Sequence, residues 1–187
     1  MITHYLATVL APAFVPPLPT PEGLTLDLVK QHLEYEDDDR NALIAQYMRA
    51  AASWVENYTG KALVQREIIQ NENCFGRFIQ LNRSPFASLT SIEYIDSDSA
   101  PQTLTGARVL NGRIYPPVTG WPSVGDYTGI MITYQAGYAE TPADLISAQL
   151  LLIGHWFANR EAANERPALQ VDLAVESLCD PYRAMII

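Results

Sequence analysis

The sequence predicts an α+β protein in which helices from both ends of the chain pack together around an inserted antiparallel β region. Three observations support this class: apolar residues recur at helical spacing in the first part of the chain, the period changes to two in the middle, and helical spacing then returns. We therefore expect a single domain over residues 24–183. Its helical parts are residues 24–60 and 141–183, and its β insertion is residues 62–138.

The first 23 residues are rich in both proline and apolar side chains. Prolines prevent a continuous helix and favour a stiff, extended segment. The segment is too apolar for a solvated linker, so we expect residues 1–23 to form an extended arm along a groove of its own fold or of a neighbouring subunit. The candidate contacts with a neighbour are Leu10, Phe14, Val15 and Leu18.

Two helices are predicted after the arm. The first covers residues 24–33 with Thr25 as its N-cap, and the second runs to Tyr58 with Gly60 as its stop. The acidic run at residues 36–39 leads into the second helix. We expect these carboxylates at the N-cap and in the first turn, where they would meet the positive end of the helix dipole.

Short strands are predicted throughout the middle of the chain because apolar residues alternate and turn residues recur. The predicted strands are residues 63–69, 78–81, 91–95, 108–110, 113–115 and 130–134. Asn111 and Gly112 supply the residues that a tight hairpin turn demands. Asp96 and Asp98 lack the glycine and distant glutamate of a calcium loop, so we interpret them as turn formers.

The most apolar stretch, residues 141–160, predicts one long buried helix. Thr141 can cap it, Pro142 fits its first position and Asp144 lies in its first turn. Its apolar residues cover more than one face, so it should be packed on several sides, in part by another subunit. Polar interruptions and its length argue against a membrane span.

The chain closes on a short predicted helix at residues 171–182, with Leu173, Leu178 and Tyr182 facing inward. Residues 184–187 then form an apolar tail. An exposed apolar segment of this kind indicates a docking site.

Composition and charge limit the possible partners. Hydrophobic residues make up 48% and charged residues only 18%, which suggests surfaces that partners cover. The net charge of −9 disfavours general attraction to nucleic acid. Cys74 and Cys179 show no disulfide or metal spacing and are expected to be buried free thiols in a reducing compartment. Without signal-peptide features, we expect synthesis in a cytoplasm and no membrane association.

The sequence carries no spacing signature of a catalytic centre, a metal site or a phosphate-binding loop, so no cofactor is expected. His155 lies between Gly154 and Trp156 on the predicted long helix, and we interpret it as a hydrogen-bonded packing residue. Catalytic residues can meet only in three dimensions, however. A monomeric cytoplasmic enzyme, such as a small hydrolase, therefore remains an alternative.

Several segments, in their order, resemble the head-to-tail connector family of tailed bacteriophages. They are AAASWVENYTGKAL at residues 50–63, YQAGY at 134–138, TPADLISAQLLLIGHWFANREAANE at 141–165 and SLCDPYR at 177–183. The resemblance covers most of the chain from Leu24 onward. It implies a helical core with a β insertion, and it implies no enzyme activity.

The resemblance further implies an adaptor for head completion, located in the virion neck. Such a protein forms a homo-oligomeric ring, matched to a dodecameric portal protein, and joins it to a tail or stopper protein while DNA passes through without specific binding. The resemblance places the carboxyl end of the chain near the portal. The candidate portal contacts are Tyr182, Arg183, Met185, Ile186 and Ile187. An oligomeric scaffold unrelated to phage is a further alternative.

Overall fold

The structure, a computed structural model, describes residues 23–124, 129–159 and 168–183. Its helices are α1 (Leu26–His32), α2 (Asn41–Thr59), α3 (Ala143–Ala158) and α4 (Ala168–Cys179), followed by a 3-10 helix at Asp180–Tyr182. The predicted arm contacts Leu10, Phe14, Val15 and Leu18 and the predicted tail contacts Met185, Ile186 and Ile187 lie outside the described residues. Helices from both sides of a β region confirm the predicted α+β class.

Seven strands form the β region of the described chain. They are β1 (Arg66–Glu72), β2 (Ile79–Gln80), β3 (Phe86–Ile95), β4 (Pro101–Thr103), β5 (Arg108–Leu110), β6 (Arg113–Tyr115) and β7 (Ile130–Ala136). The larger sheet has the order β1-β7-β3-β4 and the smaller has the order β2-β6-β5. All pairs are antiparallel, as predicted.

The hairpin between β5 and β6 follows the predicted residues. Asn111 and Gly112 both have positive φ, 51° and 70°, which is the backbone of the tight turn whose twist matches the strands. The turn sets Leu110 opposite Arg113 and Arg108 opposite Tyr115. Strand β4, an exposed three-residue edge strand that contains a proline, was not predicted from the sequence.

Two separate hydrophobic clusters stabilise the fold of the described residues. The helical cluster is built from all four helices and includes Val29, Ile44, Leu145 and Val175, all buried. The β cluster lies between the two sheets and includes Ile92, Ile114, Ile132 and Tyr134. The alternation predicted for the last strand appears in β7, where Ile130, Ile132, Tyr134 and Ala136 are buried and the residues between them are not.

The predicted cap of α1 and stop of α2 are confirmed. The hydroxyl of Thr25 accepts a hydrogen bond from the Leu28 backbone N–H at 3.1 Å. Gly60 ends α2 with φ of 71°, and its N–H donates to the Glu56 carbonyl.

The predicted role of the acidic run at residues 36–39 is wrong. Helix α2 begins only at Asn41 and has no acidic residue in its first turn. Its N-cap residue is Arg40, whose side chain makes no capping hydrogen bond. Asp38 instead accepts hydrogen bonds from the Lys30 ammonium at 2.8 Å and from the Asn41 side-chain amide at 3.0 Å. Asp38 therefore ties α1 to the start of α2 through its side chain, and the acidic run lies before the helix rather than in its first turn.

The start of α3 also differs from the prediction. Pro142 is the N-cap, its side chain makes no capping hydrogen bond, and α3 begins at Ala143. Thr141 is buried, and its hydroxyl donates to the Leu63 carbonyl at 2.7 Å instead. Asp144 lies in the first turn as predicted. Leu151 on α3 is 36% exposed in the part of the chain that the structure describes.

The predicted inward face of the last helix is confirmed in part, since Leu178 and Tyr182 pack against the helical cluster but Leu173 does not. Leu173 is 60% exposed, while Val175 and Cys179 are fully buried. These two residues are one helical turn apart, so they form the stripe that meets the helical cluster. Cys74 is exposed, contrary to expectation, because it lies in the turn after β1 rather than in a core.

Candidate functional site

The carboxyl segment of the described chain is fastened to two helices. The Tyr58 hydroxyl on α2 donates to Asp180 Oδ1 at 2.8 Å. The Tyr182 hydroxyl donates to Asp144 Oδ2, in the first turn of α3, at 3.0 Å. In the first bond a helix residue donates to the 3-10 helix, and in the second the 3-10 helix donates to a helix residue. Together they attach the 3-10 helix to the end of α2 and to the start of α3.

Arg183 extends this attachment through its guanidinium. The guanidinium carbon lies 5.0 Å from the centroid of the Tyr58 ring, and that ring stacks on Trp54 at 5.0 Å with planes 8° apart. Arg183 Nη1 also lies 3.8 Å from Asp180 Oδ1, and the Arg183 side chain is 59% exposed. A guanidinium that lies over an aromatic ring is held in place while its N–H groups stay free to donate hydrogen bonds to a partner. The C-terminal site, defined as Trp54, Tyr58, Asp144 and residues 180–183, thus presents an oriented arginine.

The hydrogen bonds to carboxylates raise the pKa of both tyrosines. Donation to the Asp180 carboxylate raises the pKa of Tyr58 above its usual value, and donation to Asp144 does the same for the pKa of Tyr182. Both groups therefore act as donors throughout the neutral range, and the C-terminal site does not loosen by ionisation of a phenol.

Two of the predicted portal contacts, Tyr182 and Arg183, come together in this site. The residues that hold them in place were not predicted from the sequence, because bonded residues such as Tyr58 and Asp180 are separated by 122 positions. Only the position of Tyr58, two residues before Gly60 at the end of an amphipathic helix, could have indicated this role. An aromatic residue at such a position is more often a packing residue.

A second set of contacts joins the helical part to the β part. We call residues 60–65 and 137–141 the joint. The Gln65 N–H donates to the Tyr138 carbonyl at 3.1 Å, and the Tyr138 N–H donates back to Ala62 at 3.3 Å. Gly137, with φ of 130°, passes so close to Val64 that a Cβ would lie 2.2 Å from its carbonyl oxygen.

A buried ion pair reinforces the joint. Both oxygens of Glu56, which is only 3% exposed, accept hydrogen bonds from the Arg66 guanidinium at 2.7 Å. Glu56 Oε1 also accepts from the Leu63 N–H at 2.8 Å. From the other side, the Arg83 guanidinium donates to the Glu56 backbone carbonyl at 2.9 Å. The end of α2 is therefore bound to two separate segments of the β region.

We expect Glu56→Gln to lower the free energy of unfolding by about 2 kcal/mol, since the substitution leaves Arg66 without its charged partner and removes charge-assisted bonds. Urea unfolding measures this loss. The matched control is Glu67→Gln, which removes an exposed carboxylate next to Arg66 and should change stability by less than about 0.5 kcal/mol. Equal effects of the two substitutions would show that the buried pair does not hold the joint.

Chemical groups for catalysis or metal binding are sparse in the described part of the chain. There, no three His, Cys, Asp or Glu side chains are grouped to hold a metal ion. Burial raises the pKa of the Cys179 thiol to about 11, so it is not the thiolate that nucleophilic chemistry needs. Beside the joint, a cleft of about 220 Å³ is lined by Val64, Gln65, Tyr138, Ala139 and Thr141, none of which is charged. Among the described helices, none is long and apolar enough to cross a bilayer.

Solved structures with a similar fold come from gene transfer agent (GTA) particles. A chain in the neck of an empty GTA particle, computed with C6 symmetry, aligns with a TM-score of 0.73 and 23% identity over 88% of this chain and 91% of that chain. A chain of the native GTA virion gives a TM-score of 0.73 and 22% identity over 91% and 95%. A chain in the neck of the native particle, computed with C12 symmetry, gives 0.72 and 23% over 92% and 93%.

Sequence comparison agrees with this likeness of fold. No curated protein matches the chain. A family model described as "Head completion protein" matches residues 23–168, which include three of the four helices in full and every described strand. The chain therefore belongs to the head completion protein family.

Proposed function

We propose that this protein is the adaptor of a head-to-tail junction, a structural rather than catalytic component of the neck of a phage or phage-like particle. The match of residues 23–168 to the head completion protein family carries this proposal. The fold shared with chains of GTA necks supports it. In this proposal, the subunits are made in the host cytoplasm and form a dodecameric ring between the portal protein and a tail or stopper protein.

Ring closure requires a head-to-tail contact in which two different surfaces of each subunit meet. We assign the N-terminal arm to one of these surfaces. Its residues Leu10, Phe14, Val15 and Leu18 would cover apolar surface of the next subunit. Support comes from the 48% hydrophobic composition and from Leu151 and Leu173, two exposed leucines on helices of the described chain.

The C-terminal site is the proposed portal attachment. Its hydrogen bonds fix where the chain leaves Arg183, and residues 184–187 follow directly. Tyr182 and Arg183 would form the fixed base of the contact, and Met185, Ile186 and Ile187 would supply its apolar part. Aromatic and arginine residues with apolar neighbours are the usual centres of strong interfaces.

Electron microscopy of the purified protein mixed with its portal tests the adaptor function. We expect particles in which a ring of this protein caps one end of the portal ring, with the symmetry of the portal. Native mass spectrometry of the same mixture gives the subunit count. A protein that stays monomeric beside intact portal would contradict the proposal and favour the enzyme alternative.

DNA is expected to pass the ring without being held. The subunit carries a net charge of −9, so the assembled ring offers no general release of counterions on contact with phosphate. In a fluorescence anisotropy assay with a labelled duplex, binding should be weaker than about 1 µM at physiological salt. Tight, salt-sensitive binding would instead indicate a basic lumen.

A further inference from the structure

The smaller sheet has an outer face with an unusual composition. Ile79 and Ile114 are paired in register and buried, so the side chains that alternate with them point away from the β cluster. The partners Arg108 and Tyr115, and Leu110 and Arg113, lie on that opposite side. We call this surface the arginine face, and its members are Phe78, Gln80, Arg108, Leu110, Arg113 and Tyr115.

The chain around the arginine face contains no acidic residue. Residues 73–92 and 99–124 carry Arg77, Arg83, Arg108 and Arg113 but neither aspartate nor glutamate. All 21 acidic residues of the chain lie elsewhere, alongside only eight basic ones. The strands of the smaller sheet therefore carry positive but no negative side chains, and the acidic remainder of another copy is their electrostatic complement.

The face is ordered by its own contacts. The Arg113 guanidinium carbon lies 4.6 Å from the centroid of the Phe78 ring, and Arg113 Nε donates to Gln80 Oε1 at 3.0 Å. The Phe78 and Tyr115 rings lie 6.0 Å apart. Arg108 is exposed, and Leu110 is 60% exposed beside it. A surface of arginine, aromatic rings and an exposed leucine has the composition of a protein interface.

We propose that the arginine face docks on an acidic surface of a second copy of this chain and forms part of the contact between neighbouring subunits, in addition to the N-terminal arm. The inference rests on the proposed ring and adds a second surface to the contact between its subunits. A nucleic-acid backbone is the poorer occupant. An exposed leucine gains nothing from phosphate, and few cations converge on one strand. An acidic protein surface offers carboxylates that can pair with Arg108 and apolar side chains that can bury Leu110.

Carbodiimide coupling between labelled and unlabelled copies tests the contact directly, because this reagent joins an amine to a carboxylate. The chain has only two lysines, Lys30 and Lys61, and neither lies on the face. Arg108→Lys adds an amine there while keeping the charge. We expect mixed-isotope cross-linked peptides that contain position 108 and an Asp or Glu of the other copy. The control Arg49→Lys, exposed on α2, should give at most a tenth of that yield.

The samples are the protein alone at high concentration and the protein bound to portal. Linkage of position 108 to the other copy in either sample supports the proposal. Linkage only within one chain, only to portal, or not at all overturns it. This result is separate from the adaptor function, since rings on portal seen by microscopy without a position 108 cross-link would reject the face and leave the adaptor standing.

Charge reversal provides the second measurement. Arg108→Glu should lower the fraction of protein in oligomers at least tenfold at low salt, while Arg49→Glu leaves it within twofold. Circular dichroism checks that both variants fold. Unchanged assembly of Arg108→Glu overturns the proposal. A duplex DNA affinity that Arg108→Glu abolishes would also overturn it, in favour of a nucleic-acid surface.

Discussion

Gly137→Ala is expected to lower the free energy of unfolding by about 4 kcal/mol or more, a large part of the roughly 5–15 kcal/mol that keeps a typical domain folded. The added Cβ would lie 2.2 Å from the Val64 carbonyl oxygen and 2.6 Å from the Gln65 nitrogen, both backbone atoms that cannot turn aside. The φ of 130° adds strain of its own. Thermal unfolding should show a melting temperature lower by about 10 °C or more.

Gly120→Ala is the matched control for this substitution. Gly120 also has a positive φ, 86°, but a Cβ there meets nothing within 4 Å. Its replacement should therefore cost only about 1 kcal/mol, from backbone strain alone. Similar losses in the two variants would mean that the close approach at the joint is not required for folding.

Removal of residues 184–187 is expected to abolish attachment to the portal while leaving the melting temperature unchanged. The proposed contact buries Met185, Ile186 and Ile187, each contributing about 1.5 to 3 kcal/mol before ordering costs. Loss of even one such side chain weakens binding by about tenfold or more. Co-sedimentation with portal measures attachment, and differential scanning calorimetry of the same variant measures stability.

A variant with serine at all four positions of the tail is the control for its length. It should behave like the truncated protein if burial of apolar side chains supplies the attachment. Retained portal binding together with a lowered melting temperature would contradict the proposal, because the tail would then pack on its own subunit.

Local patterns in the sequence predicted those parts of the fold that local physics determines. The strands Arg108–Leu110 and Arg113–Tyr115 have the predicted bounds because Asn111 and Gly112 fix the turn and hence the register. The end of α2 was predictable for the same reason, since Gly60 takes a left-handed conformation at low cost.

Predictions failed where a distant group changed the local outcome. Thr141 has the right residue type for an N-cap, but the Leu63 carbonyl, 78 positions away, takes its hydroxyl. The apolar pattern at the end of the chain placed Leu178 and Tyr182 correctly against the helical cluster but placed Leu173 there wrongly, since Leu173 is 60% exposed. Strand β3 begins at Phe86 rather than near Ser91 because β7 offers a full partner along its length.

The candidate sites were predictable only in part. Tyr182 and Arg183 were identified from composition and resemblance, and they lie together in the structure. Their supports on α2 and α3 were not, because hydrogen bonds such as Tyr58 to Asp180 join residues with no shared sequence pattern. The arginine face was hidden for a related reason: the net charge of −9 averages over surfaces that the fold separates.

The division into two hydrophobic clusters affects how unfolding should be observed. Trp54 and Trp156 pack against the helical cluster, whereas Trp121 packs against the β cluster. Of the three tryptophans in the chain, two therefore report on one cluster and a single one on the other. Total tryptophan fluorescence follows mainly the helices, and a sheet that opens at a lower denaturant concentration would leave most of that signal unchanged. Variants that retain only Trp121 make the opening of the β region visible by itself.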